Sequence, residues 1–328
     1  MRAATKLRHM SDLVSLAEIE DAAERLRGIA VRTPLVRHSP ADPALLIKPE
    51  SLQPIGAFKL RGAYHAIAGL PDDDRARGVI THSSGNHAQA VAYAARALNA
   101  PAVVVMPRTA PMVKVDACRA LGAEIVFVEP TMEARESTAE RLAAAHAYAM
   151  IPPYDDARVI AGQGTVGLEI VADAPEVDVV LVPVGGGGLI AGVAVAVKTL
   201  RPEATVIGVE PELAADARES LRLGRPVEWA AEQTARTCAD ALRVQRVGDL
   251  PFAHLSECVD GIVTVTEEEI RAAMRHLALT ARLVAEPAGA VTTAAYLFHR
   301  TGLPAGRTYV AVLSGGNVDP ERLVDSLR

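Results

Sequence analysis

The chain has 328 residues, 50% of them hydrophobic but only 3% aromatic, and carries a formal charge of −6. That length supports a sizeable core in two domains or one large one, and its interspersed charges leave no basic stripe for nucleic acid. Cys118, Cys238 and Cys258 form no CxxC pair, which fits a reducing cytoplasm and argues against a disulfide framework or a zinc site.

The N-terminus has basic residues but no apolar segment, so no signal peptide is expected. Ser15-Leu16-Ala17-Glu18 is a capping box, opening a helix with Ile19, Ala22, Ala23, Leu26 and Ile29 on its apolar face. Thr33-Pro34-Leu35 leads to a short strand at Leu45-Leu46-Ile47, and a helix begins near Lys59. From Val79 strands and helices alternate. Strands are expected at Val79-Ile80-Thr81, Ala102 to Met106 and Glu124 to Val128. Helices are expected at His87 to Leu98, Pro111 to Leu121 with Gly122 as C-cap, and Met132 to Ala149. This βαβαβα order implies a parallel sheet.

A second series follows: helix from Gly164 to Val171, strand from Val177 to Val184, helix from Leu189 to Leu200, strand from Thr205 to Glu210. Residues 211–260 are less regular and hold the single tryptophan, Trp229. Ile262 to Val265 is a strand, Thr266-Glu267-Glu268-Glu269 a second capping box, and Thr308 to Leu313 a last strand. Val179 to Val197 is uncharged over 19 residues, the length of a membrane span, but Pro183 and four glycines interrupt it. A strand, a turn and a buried helix explain it better, so no membrane partner is expected. The fold class is α/β, with two open-sheet domains: the larger from residues 1–75 and 156–328, the smaller inserted at 76–155.

Three strand ends and one lysine carry chemistry. Gly185-Gly186-Gly187-Gly188 links an apolar strand to an apolar helix, where bare amides and a helix N-terminus can cradle a phosphate. Close helix–strand packing is the plainer explanation of those glycines. No Gly-Lys-Ser/Thr follows, so this is not a P-loop. Gly186-x-Gly188-x-x-Ala191 also fits a loose dinucleotide fingerprint, with Glu210 where a ribose-binding acid is expected. Ser83-Ser84-Gly85-Asn86-His87 stands at another strand-to-helix turn and can hold a carboxylate, although Ser and Asn are ordinary caps. Ser314 closes an apolar strand before Gly315-Gly316-Asn317. In an open α/β sheet, ligands sit at the carboxyl ends of strands, so these segments can converge. Lys59, between Phe58 and Leu60, lies at a helix start, where the macrodipole and burial both lower an amine pKa. A neutral amine is a nucleophile. Its neighbours alone favour the plainer reading, a lysine snorkelling from a half-buried helix.

Together, five ordered segments carry a resemblance. They are Phe58-Lys59-Leu60-Arg61-Gly62-Ala63, His82 to Gln89, Ile160-Ala161-Gly162-Gln163-Gly164-Thr165, Val182 to Gly188, and Leu313 to Asp319. The chain resembles, from about residue 15 to 320, the pyridoxal 5′-phosphate enzymes of the tryptophan synthase β-subunit fold, in their threonine/serine dehydratase and serine racemase branch. The resemblance implies β-elimination of water from L-threonine or L-serine, giving a 2-oxo acid and ammonia, with a serine racemase of dehydratase side activity, or a dehydratase of another β-hydroxy amino acid, as the alternatives. It implies that Lys59 is the Schiff-base lysine and the base at Cα, and that Phe58 packs beside the cofactor ring. Gly185, Gly186, Gly187 and Gly188 would bind the cofactor phosphate. Asn86 would bond the ring hydroxyl and Ser314 face the ring nitrogen. Ser83, Ser84, Asn86 and His87 would hold the substrate carboxylate. Ser84 would also serve as a second base on the far ring face, which leans toward racemisation. Glu210, Ala214 and Asp216 match the family's divalent-cation site, for Mg²⁺, Mn²⁺ or Ca²⁺. A large cofactor-binding domain, a small mobile domain and a homodimer are the further implications.

The chain departs from the family at several places. Ile55-Gly56-Ala57 replaces the usual Thr-Gly-Ser before Phe58-Lys59, and Ala239-Asp240-Ala241 the usual Ala-Asp-Gly. Val244 and Tyr154 lie where racemases carry a serine and an asparagine. These changes bear on the substrate side chain and on efficient racemisation. No regulatory domain follows residue 328, so isoleucine feedback of the long biosynthetic type is not expected.

Overall fold

The computed structural model describes residues 13–328. The signal-peptide expectation and the first twelve residues of the larger domain lie outside the described residues. In chain order the strands are β1 (Val36–Arg37), β2 (Leu45–Pro49), β3 (Val79–His82), β4 (Ala102–Pro107), β5 (Glu124–Val128), β6 (Ala149–Met150), β7 (Val179–Pro183), β8 (Thr205–Pro211), β9 (Gly261–Val265) and β10 (Tyr309–Leu313).

They form two sheets. The larger has the order β1-β2-β10-β7-β8-β9 and the smaller β5-β4-β3-β6. Among the strands of the described residues only the short β1 runs antiparallel, pairing Val36 with Ile47; every other strand pairing is parallel. Parallel strands covered on both faces read as continuous apolar runs. β7 (Val-Val-Leu-Val-Pro) and β10 (Tyr-Val-Ala-Val-Leu) are buried at every position. One face of the larger sheet packs under the helices Leu16–Arg25, Ala157–Asp173 and Gly188–Leu200, the other under Glu267–His276 and Pro287–His299. The uncharged run after Val179 is thus β7 followed by a buried 13-residue helix. Among the described residues no helix is long and apolar enough to cross a membrane.

Both capping boxes form. Most expected elements appear with shifted ends, and the shifts have local causes. The first helix stops at Arg25, short of Ile29. The helix expected from Gly164 starts earlier, at Ala157, because the Asp156 side chain caps it on Arg158 and Val159. The helix expected to run from Met132 to Ala149 ends at His146. Ala147 takes a left-handed conformation there, with φ 54°, and the chain turns into β6 beside β3. An alanine in that conformation is not foreshadowed by composition, since glycine is the usual residue.

The lysine helix, Lys59–Ala68, does not pack on the larger sheet. Its face of Leu60, Ala63, Ala66 and Ile67 belongs to the same core as Val79, Val91, Val104 and Val159. A methyl group at Gly62 would run into Gln163 and Val159, and one at Gly162 would meet the Arg61 carbonyl oxygen at 2.6 Å. The two helices therefore touch through their backbones.

Candidate active site

The carboxyl ends of β3, β6, β7 and β10 open on one cleft of about 540 Å³. Phe58, Lys59, Ser83, Ser84, Asn86, His87, Gly185, Gly186, Gly187, Gly188 and Ser314 all line it. The convergence expected from strand ends is therefore found for every cofactor and substrate residue read from the sequence. The cation residues Glu210, Ala214 and Asp216 lie apart, at the end of β8.

Lys59 is the first residue of its helix, and no side chain caps that end. Its Nζ donates to the Pro153 carbonyl at 2.6 Å, across from the segment after β6. Among the described residues it meets no carboxylate. Burial pushes the Lys59 amine down to about 8. The loop before it is tied to the end of β10: Phe58 N–H donates to Ser314 O at 3.0 Å and Gly316 N–H to Gly56 O at 2.9 Å. Gly56 makes that turn with φ +71°, and a side chain there would collide with Asn317.

Beneath the lysine helix lies a buried ion network. Arg61 donates to both Glu50 oxygens at 2.8 Å and to Glu169 at 2.7 and 2.9 Å. Lys48 reaches Glu169 at 2.6 Å. These groups bind the helix to β2 and to Ala157–Asp173, and so fix the root of Lys59.

The two cradles differ. At Gly185 to Gly188, no group of the described chain takes up the N–H of Gly185, Gly186 or Gly187. Three free amides at the start of the Gly188–Leu200 helix suit a phosphate. The glycines are also required by packing. A methyl at Gly186 would fall on the Tyr154 ring, and one at Gly187, where φ is +90°, would sit 2.8 Å from Pro251. Free amides and close packing, alternatives in the sequence, are both present here. At Ser83 to His87 two amides are occupied from within: Ser83 Oγ accepts from Gly85 N–H and His87 N–H, each at 3.2 Å. A carboxylate entering this turn would take over what the hydroxyl now does. The His87 imidazole plays no such part. Its Nε2 donates to Ile151 O at 3.2 Å, and burial, with Lys59 nearby, holds it down to about 3. His87 thus offers an amide, not a cation.

Asn86 is held from both sides. Its Oδ1 accepts from Asn317 Nδ2 at 2.9 Å, and its Nδ2 donates to Glu286 Oε1 at 2.6 Å. One N–H of Nδ2 remains for a ligand. Glu286 was not foreseen from sequence. It is 4% exposed, and burial, with Asp240 adding to it, pushes its carboxyl up to about 8. The available signal was an acid between Ala285 and Pro287, at a helix cap where its side chain caps nothing. Tyr154, Arg135, Lys114 and Asp240 also line the cleft. Ser314 is buried, its hydroxyl 3.5 Å from Ala288 O. Among the described residues nothing but this weak contact engages the hydroxyl, so a ring nitrogen could approach.

The Glu210 carboxylate accepts from Ala217 N–H and Arg218 N–H at 3.1 and 2.8 Å. Both Asp216 carboxylate oxygens are buried and have no hydrogen-bond partner among the described residues. Burial raises both groups, Asp216 to about 7. Orphaned carboxylate oxygens suit a cation. Among the described residues, however, no three His, Cys, Asp or Glu side chains gather, so main-chain oxygens and water must complete any such site.

Comparison with known proteins gives a concordant result. The family model described as pyridoxal-phosphate dependent enzyme matches residues 26–315. An L-threo-3-hydroxyaspartate ammonia-lyase of Saccharomyces cerevisiae is 40% identical over 93% of this chain and 94% of its own length. An L-threonine ammonia-lyase of Thermotoga maritima is 42% identical over 94% of this chain and 76% of its own. The structure of maize serine racemase superposes with a TM-score of 0.89 at 35% identity, covering 96% of this chain and 97% of that one.

Proposed function

The chain belongs to the pyridoxal-phosphate dependent enzyme family, and we propose that it removes water from L-threonine or L-serine, yielding a 2-oxo acid and ammonia. The observation that carries this reading is Lys59: an amine held to about 8, facing a free-amide cradle and a carboxylate turn in one cleft. When bound, pyridoxal phosphate supplies a sink for the electron pair left at the substrate Cα.

The chain's own residues do the rest. The amides of Gly185, Gly186, Gly187 and Gly188 would hold the phosphate, Phe58 would pack beside the ring and Asn86 would donate to the ring hydroxyl. Ser83, Ser84, Asn86 and the His87 amide hold the substrate carboxylate. Once its carbonyl contact is released, Lys59 takes the proton from Cα, and an amine of lowered pKa is neutral often enough to do so. Ser314 offers the ring nitrogen a hydroxyl in place of a carboxylate. A weaker partner disfavours long-lived carbanions and favours prompt departure of the β-hydroxyl.

Purified protein should be yellow, and borohydride should fix the cofactor on Lys59. Formation of 2-oxo acid from L-threonine and L-serine then tests the reaction. Colourless protein that binds a dinucleotide instead would refute it. Ser84 favours a second reading, serine racemase with dehydratase side activity. Absence of D-serine from L-serine would remove it. Ser84→Ala should abolish racemisation and spare elimination; equal loss of both would make Ser84 a binding group only.

The same proposal includes a divalent cation on Glu210, Ala214 and Asp216, a homodimer and a cytoplasmic setting. It also includes a small mobile domain at 76–155 on a cofactor-binding one at 1–75 and 156–328. The orphaned Asp216 oxygens support the first, and the separate sheets support the last.

A further inference from the structure

Between β6 and the helix Ala157–Asp173 the chain passes along the cleft as Ile151-Pro152-Pro153-Tyr154-Asp155. This strap meets the site repeatedly. Ile151 N–H donates to Ile80 O at 2.9 Å, which holds it to β3, and Ile151 O accepts from His87 Nε2 at 3.2 Å. Pro153 O accepts from Lys59 Nζ at 2.6 Å. The Tyr154 ring packs on Gly186, with no room for a methyl between them. Two successive prolines stiffen the strap and carry no N–H, so its anchorage rests on its two ends.

Asp155 holds the far end. The helix Asp249–Cys258 opens on Gly248, an N-cap with no side chain to satisfy the first amides. The Asp155 carboxylate, 94 residues away in sequence, does so in its place: Oδ2 accepts from Asp249 N–H at 3.1 Å and Oδ1 from Leu250 N–H at 3.0 Å. A carboxylate also suits the positive end of that helix. A methyl on Gly248 would stand 2.9 Å from Asp155 Cγ, so the glycine admits the distant cap. The same helix start backs the glycine cradle. Gly248 N–H donates to Gly186 O at 3.2 Å, and Pro251 packs against Gly187.

We propose that Asp155 is a positioning residue: by tying the strap to the helix behind the glycine cradle, it holds the Pro153 carbonyl at Lys59 and keeps the cradle in place across from that amine. This rests on the reading of Lys59 and the cradle given above, and it adds a residue that does not itself line the cleft. The state of Lys59 follows from the strap. Burial alone pushes its amine down to about 8, and burial likewise lowers the His82 and His87 imidazoles beside it, so neither supplies a charge. A strap released from Asp249 and Leu250 lets water reach Nζ. The ammonium is then favoured, and the pKa climbs back toward its ordinary 10.5. The same release takes one support from the helix start behind Gly186 and Gly187.

The test compares wild type, Asp155→Ala and Asp155→Asn with Ser15→Ala, which removes a helix cap outside the cleft. Capture of pyridoxal phosphate by the cofactor-free proteins is followed by absorbance across pH. Capture needs the neutral amine, so its midpoint reports Lys59. In Asp155→Ala the midpoint should rise by about one unit. Calorimetry should show affinity for inorganic phosphate, a probe of the cradle alone, falling about 3- to 30-fold, the worth of a lost cap. Asp155→Asn keeps one acceptor oxygen and should recover part of both. Ser15→Ala should lose comparable stability in urea and change neither. If Asp155→Ala does not fold, Asp155→Asn carries the comparison, with smaller changes of the same sign. A folded Asp155 variant that keeps the wild-type midpoint and phosphate affinity would make Asp155 a helix cap alone and overturn this inference; so would a change in only one of the two. Wild type that captures no cofactor would overturn the reading of Lys59 and this inference with it. None of these measurements needs turnover, so yellow enzyme that forms no 2-oxo acid would refute the elimination reading and leave Asp155 its role.

Discussion

Glu286→Gln should make the protein less sensitive to alkali. In the fold the Glu286 carboxyl is raised from its ordinary 4.5 to about 8, chiefly by burial. Between those values the native state keeps a proton that the unfolded chain releases. The stability this group contributes is fully present below pH 4.5 and is lost as pH rises through about 8. At roughly 1.4 kcal/mol per pKa unit, the loss is on the order of 5 kcal/mol. Glutamine has the same shape, keeps an oxygen to accept from Asn86 Nδ2, and does not ionise. The gap between variant and wild type should therefore widen with pH up to about 8 and then level off. Urea denaturation of both proteins at intervals between about pH 5 and 9 measures it. A gap independent of pH, or a variant that loses ground as pH rises, would refute the picture of a neutral acid beside Asn86. Activity at neutral pH should survive the change, because the group is already uncharged there.

Three other outcomes are expected. Arg61→Met should cost about 3–5 kcal/mol in urea denaturation, because it leaves Glu50 buried without its cation; a loss below about 1 kcal/mol would mean that Lys48 already neutralises the pair. Gly186→Ala should weaken cofactor retention by about tenfold or more, and adding Tyr154→Ala should restore most of it, since the methyl collides with that ring. No recovery in an absorbance titration would move the clash from Tyr154 to the cofactor. Chelation should lower the melting temperature of wild type by several degrees, worth about 1–2 kcal/mol, but not that of Asp216→Asn; equal melting with and without chelator would empty the proposed cation site.

The strands were legible because buried parallel strands are runs of Val, Ile and Leu between glycines, as in Val179–Pro183 and Tyr309–Leu313. The glycine cradle and the Ser83–His87 turn were legible because strand ends of open sheets face one edge. What escaped had no local signature. Glu286 is a single acid whose importance comes from Asn86, 200 residues away in sequence. His87 carried a side chain that chemistry suggested using, yet only its amide faces the turn. The end of the helix at His146 hinged on the backbone of one alanine.

The network under the lysine helix also has a consequence for biosynthesis. Arg61 waits for Glu169, a separation of 108 residues, and Lys48 waits for the same carboxylate across 121. At roughly 5–20 residues per second, a ribosome needs about 5–20 s to supply it. Over that interval the segment bearing Lys59 has its cations but only one of their two acids. A nascent chain arrested before Glu169 should therefore not hold its lysine in the place where the finished enzyme uses it. Cofactor capture then belongs to the second half of translation, after the helix Ala157–Asp173 has left the exit tunnel.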